Sequence, residues 1–219
     1  MSTITAQEQA WKGQMGNDYH KRSPGDVEAN VAFFRRVFPI PHDALQRQWR
    51  DINTILELGA GTGANVKALR KRFPNAHATA VELNRAACTM LQADSPEVKA
   101  IEASILDWEP QQRWDLVLTK GLLIHIAPNL LPAVYATLHK AAARYILIAE
   151  YYNPTPVEVV YRGEKDLLWK RDFAGELLDR YTDLQLIGYG FVYHRDKHPQ
   201  DDLTYFLLEK RADIARAAA

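Results

Sequence analysis

The stretch that decides the fold of this chain is ILELGAGTG, residues 55–63. Its first half is a short apolar run interrupted by one acid, Glu57, which is typical of a buried strand. Its second half places Gly59, Gly61 and Gly63 at alternating positions, where the backbone can turn sharply and approach a ligand that a side chain would push away. The stretch therefore predicts a strand, a ligand-binding turn and the start of a helix.

Downstream of this turn, short apolar runs alternate with helical patterns, which is the sequence sign of parallel βα units. The predicted strands are 54–58, 78–82, 99–103, 116–119, 145–150, 185–193 and 203–209. The predicted helices of this part are 64–73, 85–93, 130–143 and 173–181. The alternation predicts an α/β fold with a doubly wound, Rossmann-like sheet of seven mostly parallel strands. Because the last two strands follow one another through a hairpin-like connection, we expect an antiparallel edge strand in this sheet.

The first fifty residues precede this pattern and predict an N-terminal helical extension. Apolar residues recur there at helical spacing from Val27 to Phe38. The segment 11–19 mixes aromatic, glycine and polar residues without a clear period, so we expect an irregular segment that acts either as a flexible lid or as a packed strap. The predicted organisation is an extension over 1–50, one domain over 51–210 and a C-terminal tail over 211–219.

Composition excludes several classes of partner. Apolar residues make up 47% of the 219 residues and charged residues 25%, the balance of an ordinary globular protein. The 27 Lys and Arg equal the 27 Asp and Glu, and no basic stripe offers a surface for a nucleic-acid backbone. No apolar run approaches the roughly 20 residues of a bilayer span, and no secretory signal is recognisable. We expect a cytoplasmic monomer or homodimer that acts on a small molecule, with neither nucleic acid nor membrane as partner.

The single cysteine and the seven histidines predict no disulfide and no metal cofactor. Cys88 lies in a helical pattern, where a buried thiol is expected. His194 and His198 are four residues apart, but Pro199 favours a loop over a shared helical face. The paired Cys and His-Glu-x-x-His spacings of zinc sites are missing from the sequence.

Charge predicts which cofactor lies against the turn. Gly59, Gly61 and Ala64 also satisfy the loose dinucleotide pattern, so the glycines alone do not decide. The carboxylate of Glu57 would balance the amino group or sulfonium of S-adenosylmethionine (SAM) and would repel a pyrophosphate. Glu82 ends the second strand, where an acid accepts hydrogen bonds from ribose hydroxyls. SAM is the predicted cofactor; an NAD-dependent oxidoreductase and a non-catalytic nucleotide-binding module are the alternatives.

With these residues, the chain resembles class I SAM-dependent methyltransferases over about 53–210. The stretch 57–63, Glu82 and the segment 116–125 stand where that family's cofactor motifs stand. A narrower similarity, to methylases associated with pseudaminic acid biosynthesis, is carried by WKG at 11–13, TKGLLIHIAP at 119–128, EYYNPTPVE at 150–158, YRGEKD at 161–166 and GFVYHRD at 190–196. The resemblance implies transfer of a methyl group from SAM and leaves the acceptor open.

The turn and the resemblance together predict the cofactor site. At the position where many class I members carry an acid for the adenine amino group, this chain has Ser104, and Ser104 and the backbone of Ile105 are expected near adenine. The predicted cofactor-binding residues are Trp11, Tyr19, Glu57, Gly59, Gly61, Gly63, Glu82, Leu83, Ser104, Ile105 and Lys120.

Polar segments that follow the strands predict where the chemistry occurs, since ligands of such sheets bind at the carboxyl ends of the strands. The predicted catalytic residues are His125, His194 and Tyr152. A neutral imidazole suits proton removal from a hydroxyl or amine near pH 7, and His125 is the first choice. Two alternatives remain open: His125 packs between Ile124 and Ile126 as a structural residue, or the reaction needs only alignment of donor and acceptor.

The predicted substrate-binding residues are Tyr151, Asn153, Tyr161, Arg162 and Arg195. A guanidinium binds a carboxylate or phosphate in a two-pronged way, so Arg162 and Arg195 predict an acidic acceptor: a sugar, a sugar nucleotide or an amino-acid-like molecule, methylated at O or N. Alternatively, the alternating charges between 162 and 172 form a solvated helical face. Adjacent residues of an extended segment face opposite sides, so only one of Tyr151 and Tyr152 is expected to contact the acceptor.

Overall fold

The computed structural model of the protein describes residues 4–23, 25–40, 49 and 51–211. The strands, in chain order, are β1 (Thr54–Leu58), β2 (His77–Glu82), β3 (Lys99–Glu102), β4 (Trp114–Lys120), β5 (Ala142–Glu150), β6 (Val157–Glu158), β7 (Trp169–Lys170), β8 (Leu184–Val192) and β9 (Leu203–Lys210). The α-helices are α1 (Ala6–Lys12), α2 (Gln14–Arg22), α3 (Val27–Val37), α4 (Ala64–Arg72), α5 (Arg85–Asp94), α6 (Leu131–Ala141) and α7 (Phe173–Arg180). A single 3₁₀ turn, Leu123–His125, follows β4 within this part of the chain.

Seven of these strands form one sheet in the order β3-β2-β1-β4-β5-β9-β8. Strand β1 pairs in parallel with both β2 and β4, whereas β9 runs antiparallel to β5 and to β8. The predicted doubly wound, mostly parallel sheet with an antiparallel edge is confirmed, and β9 is the strand that reverses direction, between β5 and the edge strand β8. Because the strand order reverses between β1 and β4, a crevice opens there at the carboxyl ends of the strands.

Two apolar layers cover the faces of the sheet. Ile55 and Leu56 are adjacent and fully buried, and they belong to opposite layers because successive side chains of a strand alternate. Phe34 of α3 packs in the layer that contains Ile55, and Tyr135 of α6 packs in the layer that contains Leu56. Burial on both sides explains why β1 reads as a nearly continuous apolar run instead of an alternating one.

The N-terminal segment is helical throughout most of its described part. The prediction of an irregular segment over 11–19 is wrong. That stretch lies in α1 and α2, which meet at Gly13. Helix α1 begins with a capping box in which Thr5 and Glu8 each accept a hydrogen bond from the other's backbone N–H. This Thr-x-x-Glu pattern was readable in the sequence. The helix was not predicted because its sequence has no apolar stripe, and α1 buries none of its residues in the core.

The polar insert after β5 forms a hairpin, so the alternative of a helical face over 162–172 is wrong. Strands β6 and β7 pair antiparallel, and beyond them Tyr161 and Glu164 exchange backbone hydrogen bonds of 2.9 and 3.0 Å. Between these two, Arg162 (φ 56°) and Gly163 (φ 86°) are both left-handed, as a type I′ turn requires. For an arginine this conformation costs about 1 to 2 kcal/mol, and the turn holds Arg162 beside α2.

The sequence also led to expectations about the C-terminal tail, about membrane-spanning segments and about Cys88. The predicted tail lies outside the described residues apart from Arg211. In the described part, no helix combines the length and the apolar character needed to cross a membrane. Cys88 is buried, as expected; its thiol approaches the carbonyl oxygen of Glu82 at 3.4 Å, and burial raises the thiol pKa to about 12.

Candidate active site

A cavity of about 230 Å³ occupies the crevice at the carboxyl ends of β1 to β4. Its floor is the glycine turn after β1 together with the first residues beyond β2, β3 and β4. Helices α1 and α2 form a roof over it. Nine of the eleven predicted cofactor-binding residues line this cavity: Trp11, Tyr19, Gly59, Gly61, Glu82, Leu83, Ser104, Ile105 and Lys120.

The glycine turn has the conformation that its sequence predicts. Gly59 and Gly61 have φ values of 72° and 53°, and a Cβ added to Gly61 would lie 3.2 Å from the His20 ring of the roof. Gly63 is left-handed too, but it does not line the cavity. A Cβ there would meet Leu91 Cδ1 at 2.1 Å, so Gly63 allows α4 and α5 to approach each other. Its role is in packing beneath the turn.

Glu82 fixes the turn from the neighbouring strand. Its Oε2 accepts a 2.7 Å hydrogen bond from the Gly61 amide, and its Oε1 accepts a 2.8 Å bond from the Asn84 amide. Burial raises the pKa of Glu82, and these amide hydrogen bonds oppose that rise. The carboxylate still lines the cavity, and its oxygens have further lone pairs that can accept hydrogen bonds from hydroxyl groups.

Glu57 lies beneath the cavity and does not line it. It shares a face of β1 with Ile55, and its Oε1 accepts a 2.7 Å hydrogen bond from Asn65 of α4. Complete burial raises its pKa to about 8, against the hydrogen bond from Asn65 and the charge of Lys120. Asn65 itself lines the cavity, so Glu57 acts on the cavity through that amide.

Lys120 brings a positive charge to the end of β4. Its ammonium group lies 5.9 Å from the ring centroid of Phe33. Burial lowers the pKa of Lys120, and the nearby carboxyl groups of Glu57 and Glu150 oppose this change. A cation in this position can bind a carboxylate at the β4 side of the cavity.

His125 faces the cavity from the 3₁₀ turn after β4. Its Nδ1 lies 2.7 Å from the carbonyl oxygen of Leu167, which can only accept, so Nδ1 carries the proton and Nε2 is the basic nitrogen. The ring packs 4.5 Å from Trp11 and 5.3 Å from Tyr161, measured between centroids. Burial lowers its pKa to about 4, so the imidazole is neutral near pH 7.

Glu150 holds the turn that carries His125, and sequence reasoning missed this role. Its Oε1 accepts hydrogen bonds of 3.1 Å from the amides of Leu122 and Leu123, and its Oε2 accepts one of 3.4 Å from Ile124. Burial raises the Glu150 pKa to about 7, opposed by these amides. The only sequence signal was an acid at the end of a buried strand, as at Glu82.

The roof is attached to the body of the protein by polar contacts that were also missed. Asn84 donates from Nδ2 to the Trp11 carbonyl at 3.0 Å and to Asn17 Oδ1 at 2.8 Å. The hydroxyl of Ser104 hydrogen-bonds to the carboxylate of Glu8. The sequence offered no signal for these pairs, because each joins residues more than sixty positions apart.

Polar aromatic side chains cluster next to the cavity. The Arg162 guanidinium lies 5.8 Å from the ring centroid of Tyr19, which lines the cavity, and 5.4 Å from that of Tyr161. The Tyr151 hydroxyl donates to Asp201, and Lys170 lies 5.2 Å from the Tyr151 ring. Three of the five predicted substrate-binding residues are therefore found in this aromatic cluster.

The other predicted catalytic and substrate residues lie outside the cavity. His194 is half-exposed on the loop after β8, with Nδ1 2.9 Å from both carboxylate oxygens of Asp202. Tyr152 is exposed and packs against Phe206, with 5.6 Å between ring centroids. Asn153 is half-buried and its amide donates to the Arg171 carbonyl, whereas Arg195 is exposed. Of the three predicted catalytic residues, only His125 faces the cavity.

Comparison with known proteins agrees with this geometry. Residues 55–144 match the family described as "Methyltransferase domain". Together, the sheet order and the crevice give the chain the fold of SAM-dependent methyltransferases.

Several proteins that resemble the chain are named as methyltransferases. One solved structure is a 1,6-didemethyltoxoflavin-N1-methyltransferase of Burkholderia thailandensis with bound 1,6-didemethyltoxoflavin and S-adenosylhomocysteine (SAH). It matches with a TM-score of 0.68 and 14% sequence identity, and the match covers 97% of this chain and 92% of that chain. Another is the magnesium protoporphyrin IX methyltransferase of Synechocystis PCC 6803 with bound SAM. It matches with a TM-score of 0.66 and 13% sequence identity, and the match covers 97% of this chain and 100% of that chain. At these identities the likeness establishes the fold.

Curated relatives match more locally. A trans-aconitate 2-methyltransferase of Escherichia coli O1:K1 / APEC is 32% identical over 73 residues, which are 33% of this chain and 29% of the relative. One from Shigella dysenteriae serotype 1 is 21% identical over 127 residues, 57% of this chain and 48% of the relative. The chain therefore spans less than half the length of these two relatives.

The buried carboxyl of Glu57 makes the stability of the protein depend on pH. Folding raises its pKa from 4.5 to about 8, so over this range the folded state keeps a proton that the unfolded state has released. This group should therefore lower the free energy of unfolding by about 1.4 kcal/mol for each pH unit of increase, until the folded state also ionises.

Urea denaturation of the wild type and of Glu57→Gln across this pH range measures the effect. Gln keeps an oxygen for Asn65 and cannot ionise, so the wild type should lose stability relative to the variant as the pH rises. A difference that stays constant with pH would contradict the assignment.

Proposed function

We propose that this protein transfers a methyl group from SAM to an oxygen or nitrogen of a small, polar, acidic metabolite in the cytoplasm. The observation that carries the proposal is the roofed crevice, which is lined by a glycine turn fixed by Glu82, by Trp11 and by a neutral His125. The match to a methyltransferase domain over 55–144 supports it.

The residues around the cavity fit the parts of SAM. Glu82 offers carboxylate oxygens to ribose hydroxyls, and Gly59 and Gly61 leave the main chain bare where a side chain would fill the crevice. Lys120 is placed to neutralise the carboxylate of the amino-acid part. When bound, SAM supplies a methyl group on a positively charged sulfur, whose displacement depends mainly on alignment with the acceptor atom.

His125 is proposed to accept the proton that the acceptor loses. The hydrogen bond from Nδ1 to Leu167 fixes the ring and leaves Nε2 with its lone pair. Because the pKa of His125 is about 4, the imidazole is ready to accept a hydrogen bond throughout the neutral range. Such a weak base suits an acceptor whose proton becomes acidic as the bond to the methyl group forms.

The acidic character of the acceptor is proposed from Arg162. A strained turn holds this guanidinium beside Tyr19, at the border of the cavity, where it can bind a carboxylate. Relatives named for trans-aconitate are consistent with such an acceptor. The similarity to methylases associated with pseudaminic acid biosynthesis makes a sugar acid one candidate within the class.

Cofactor binding is the first expectation of this proposal. Isothermal titration should show SAH binding in the micromolar range and no binding of NAD. Glu82→Ala should weaken SAH by roughly 1 to 3 kcal/mol, because charge-assisted hydrogen bonds are lost. Binding of NAD without SAH would overturn the proposal, and an unchanged affinity in Glu82→Ala would exclude this carboxylate from the cofactor site.

Turnover tests the role of His125. His125→Ala should bind SAH with nearly wild-type affinity and should release product at least about 100-fold more slowly than the wild type. The wild-type rate should change little over the neutral range and fall as the pH approaches about 4, where His125 becomes protonated. His194→Ala and Tyr152→Phe provide the comparison, and a loss equal to that of His125→Ala in either would place the base outside the cavity.

Recognition of the acceptor tests the role of Arg162. A screen of acidic sugars, sugar nucleotides and amino acids for SAH release identifies an acceptor. Arg162→Ala should then raise its KM about tenfold or more, because a charge-assisted contact is lost. Lys165→Ala removes a charge from an exposed position of the same hairpin and should leave KM unchanged. Equal effects of the two variants would indicate only a long-range influence of charge.

A further inference from the structure

The end of the cavity beside β3 is lined by apolar side chains. Ile105, Leu106 and Leu130 line it and pack against the apolar layer that contains Ile126. Such walls suit a flat heterocycle that gives up its contact with water. If SAM is the cofactor, as proposed above, the adenine ring is the part of the molecule that fits these walls.

One carboxylate enters this apolar end from the roof. Among the described residues that line the cavity, the acids are Glu8 and Glu82. Glu82 is bonded to the amides of Gly61 and Asn84 at the β2 side, whereas Glu8 hydrogen-bonds to Ser104, directly after β3. Glu8 is thus the acid nearest to the apolar walls.

The contacts of Glu8 fix the position of its carboxylate. Oε2 accepts a 2.9 Å hydrogen bond from the Thr5 amide in the capping box of α1, and Oε1 is bound by the Ser104 hydroxyl. The Ser104 oxygen in turn accepts a 3.1 Å hydrogen bond from the Leu106 amide. The carboxylate is therefore held between a helix terminus and the loop after β3, while its oxygens keep lone pairs for a ligand.

We infer that Glu8, carried by the roof helix α1, recognises the exocyclic amino group of adenine and so selects an adenine-containing cofactor. A carboxylate only accepts hydrogen bonds, so it favours an amino group and disfavours a carbonyl in the same place. Ser104 is a positioning residue, because its hydroxyl orients the carboxylate. Asp107 and Glu109 of the loop after β3 do not line the cavity, and an acid from the N-terminal segment takes their place.

The test compares two ligands that differ at this group and at the ring nitrogen beside it. In S-inosylhomocysteine a carbonyl oxygen replaces the amino group of SAH, and the adjacent N1 carries a proton. The wild type should bind SAH about 10- to 100-fold more tightly than S-inosylhomocysteine. Glu8→Gln can still form the capping box and presents an amide that can donate, so its preference should shrink to about threefold or less.

Gln7→Ala is the matched control on the same helix. Gln7 binds the Asp166 carbonyl at 2.8 Å, so its loss weakens the attachment of the roof without removing a carboxylate. This variant should lower the affinity for both ligands by the same factor and keep the wild-type preference. If Glu8→Gln still binds SAH and keeps the wild-type preference, the inference about Glu8 is overturned and the proposed function is not affected. Failure of the wild type to bind SAH would instead overturn the proposed function.

Discussion

The hydrogen bond from the Gly61 amide to the Glu82 carboxylate is the constraint on which the site depends. A turn rich in glycine has many conformations to lose, and this bond fixes one of them at the end of β2. The other carboxylate oxygen binds the amide of Asn84, and the Asn84 side chain holds the Trp11 carbonyl. One buried acid thereby connects the floor of the cavity, its wall and its roof.

Burial determines the charge of the groups around this centre. The pKa of Glu57 rises to about 8 and that of Glu150 to about 7, whereas that of His125 falls to about 4. Each shift follows from the loss of water around the charged form. The cavity is therefore lined by an uncharged imidazole and by Lys120, which lies near the carboxyl groups of Glu57 and Glu150. The positive charge of Lys120 suits the binding of a carboxylate.

Much of the fold was readable from residues 55–63 and from the βα alternation that follows them. The strand positions, the glycine turn and the place of Glu82 depend on local patterns, which a sequence contains. The direction of Glu57 does not, because it depends on which face of β1 meets α4. Helix α1 was obscured because its capping box stands before a helix without an apolar stripe.

Contacts between distant segments account for the remaining differences. Glu8 meets Ser104, and Asn84 meets Asn17, across separations that no pattern in the chain announces. Of the predicted catalytic residues, His194 was attractive because it follows a strand. That strand, β8, is the edge strand, far in the sheet order from the crevice between β1 and β4. Residue type and strand position were informative, but the order of strands in the sheet decided which groups meet.

The roof of the cavity has a practical consequence for handling the protein. Thr5 lines the cavity directly, so the polypeptide enters the fold beside the opening of its own crevice. A chemical or spectroscopic label attached at Thr5 would therefore lie at the cavity itself. Labels on this protein belong on residues away from α1, because a label on α1 would disturb the cavity that it is meant to report on.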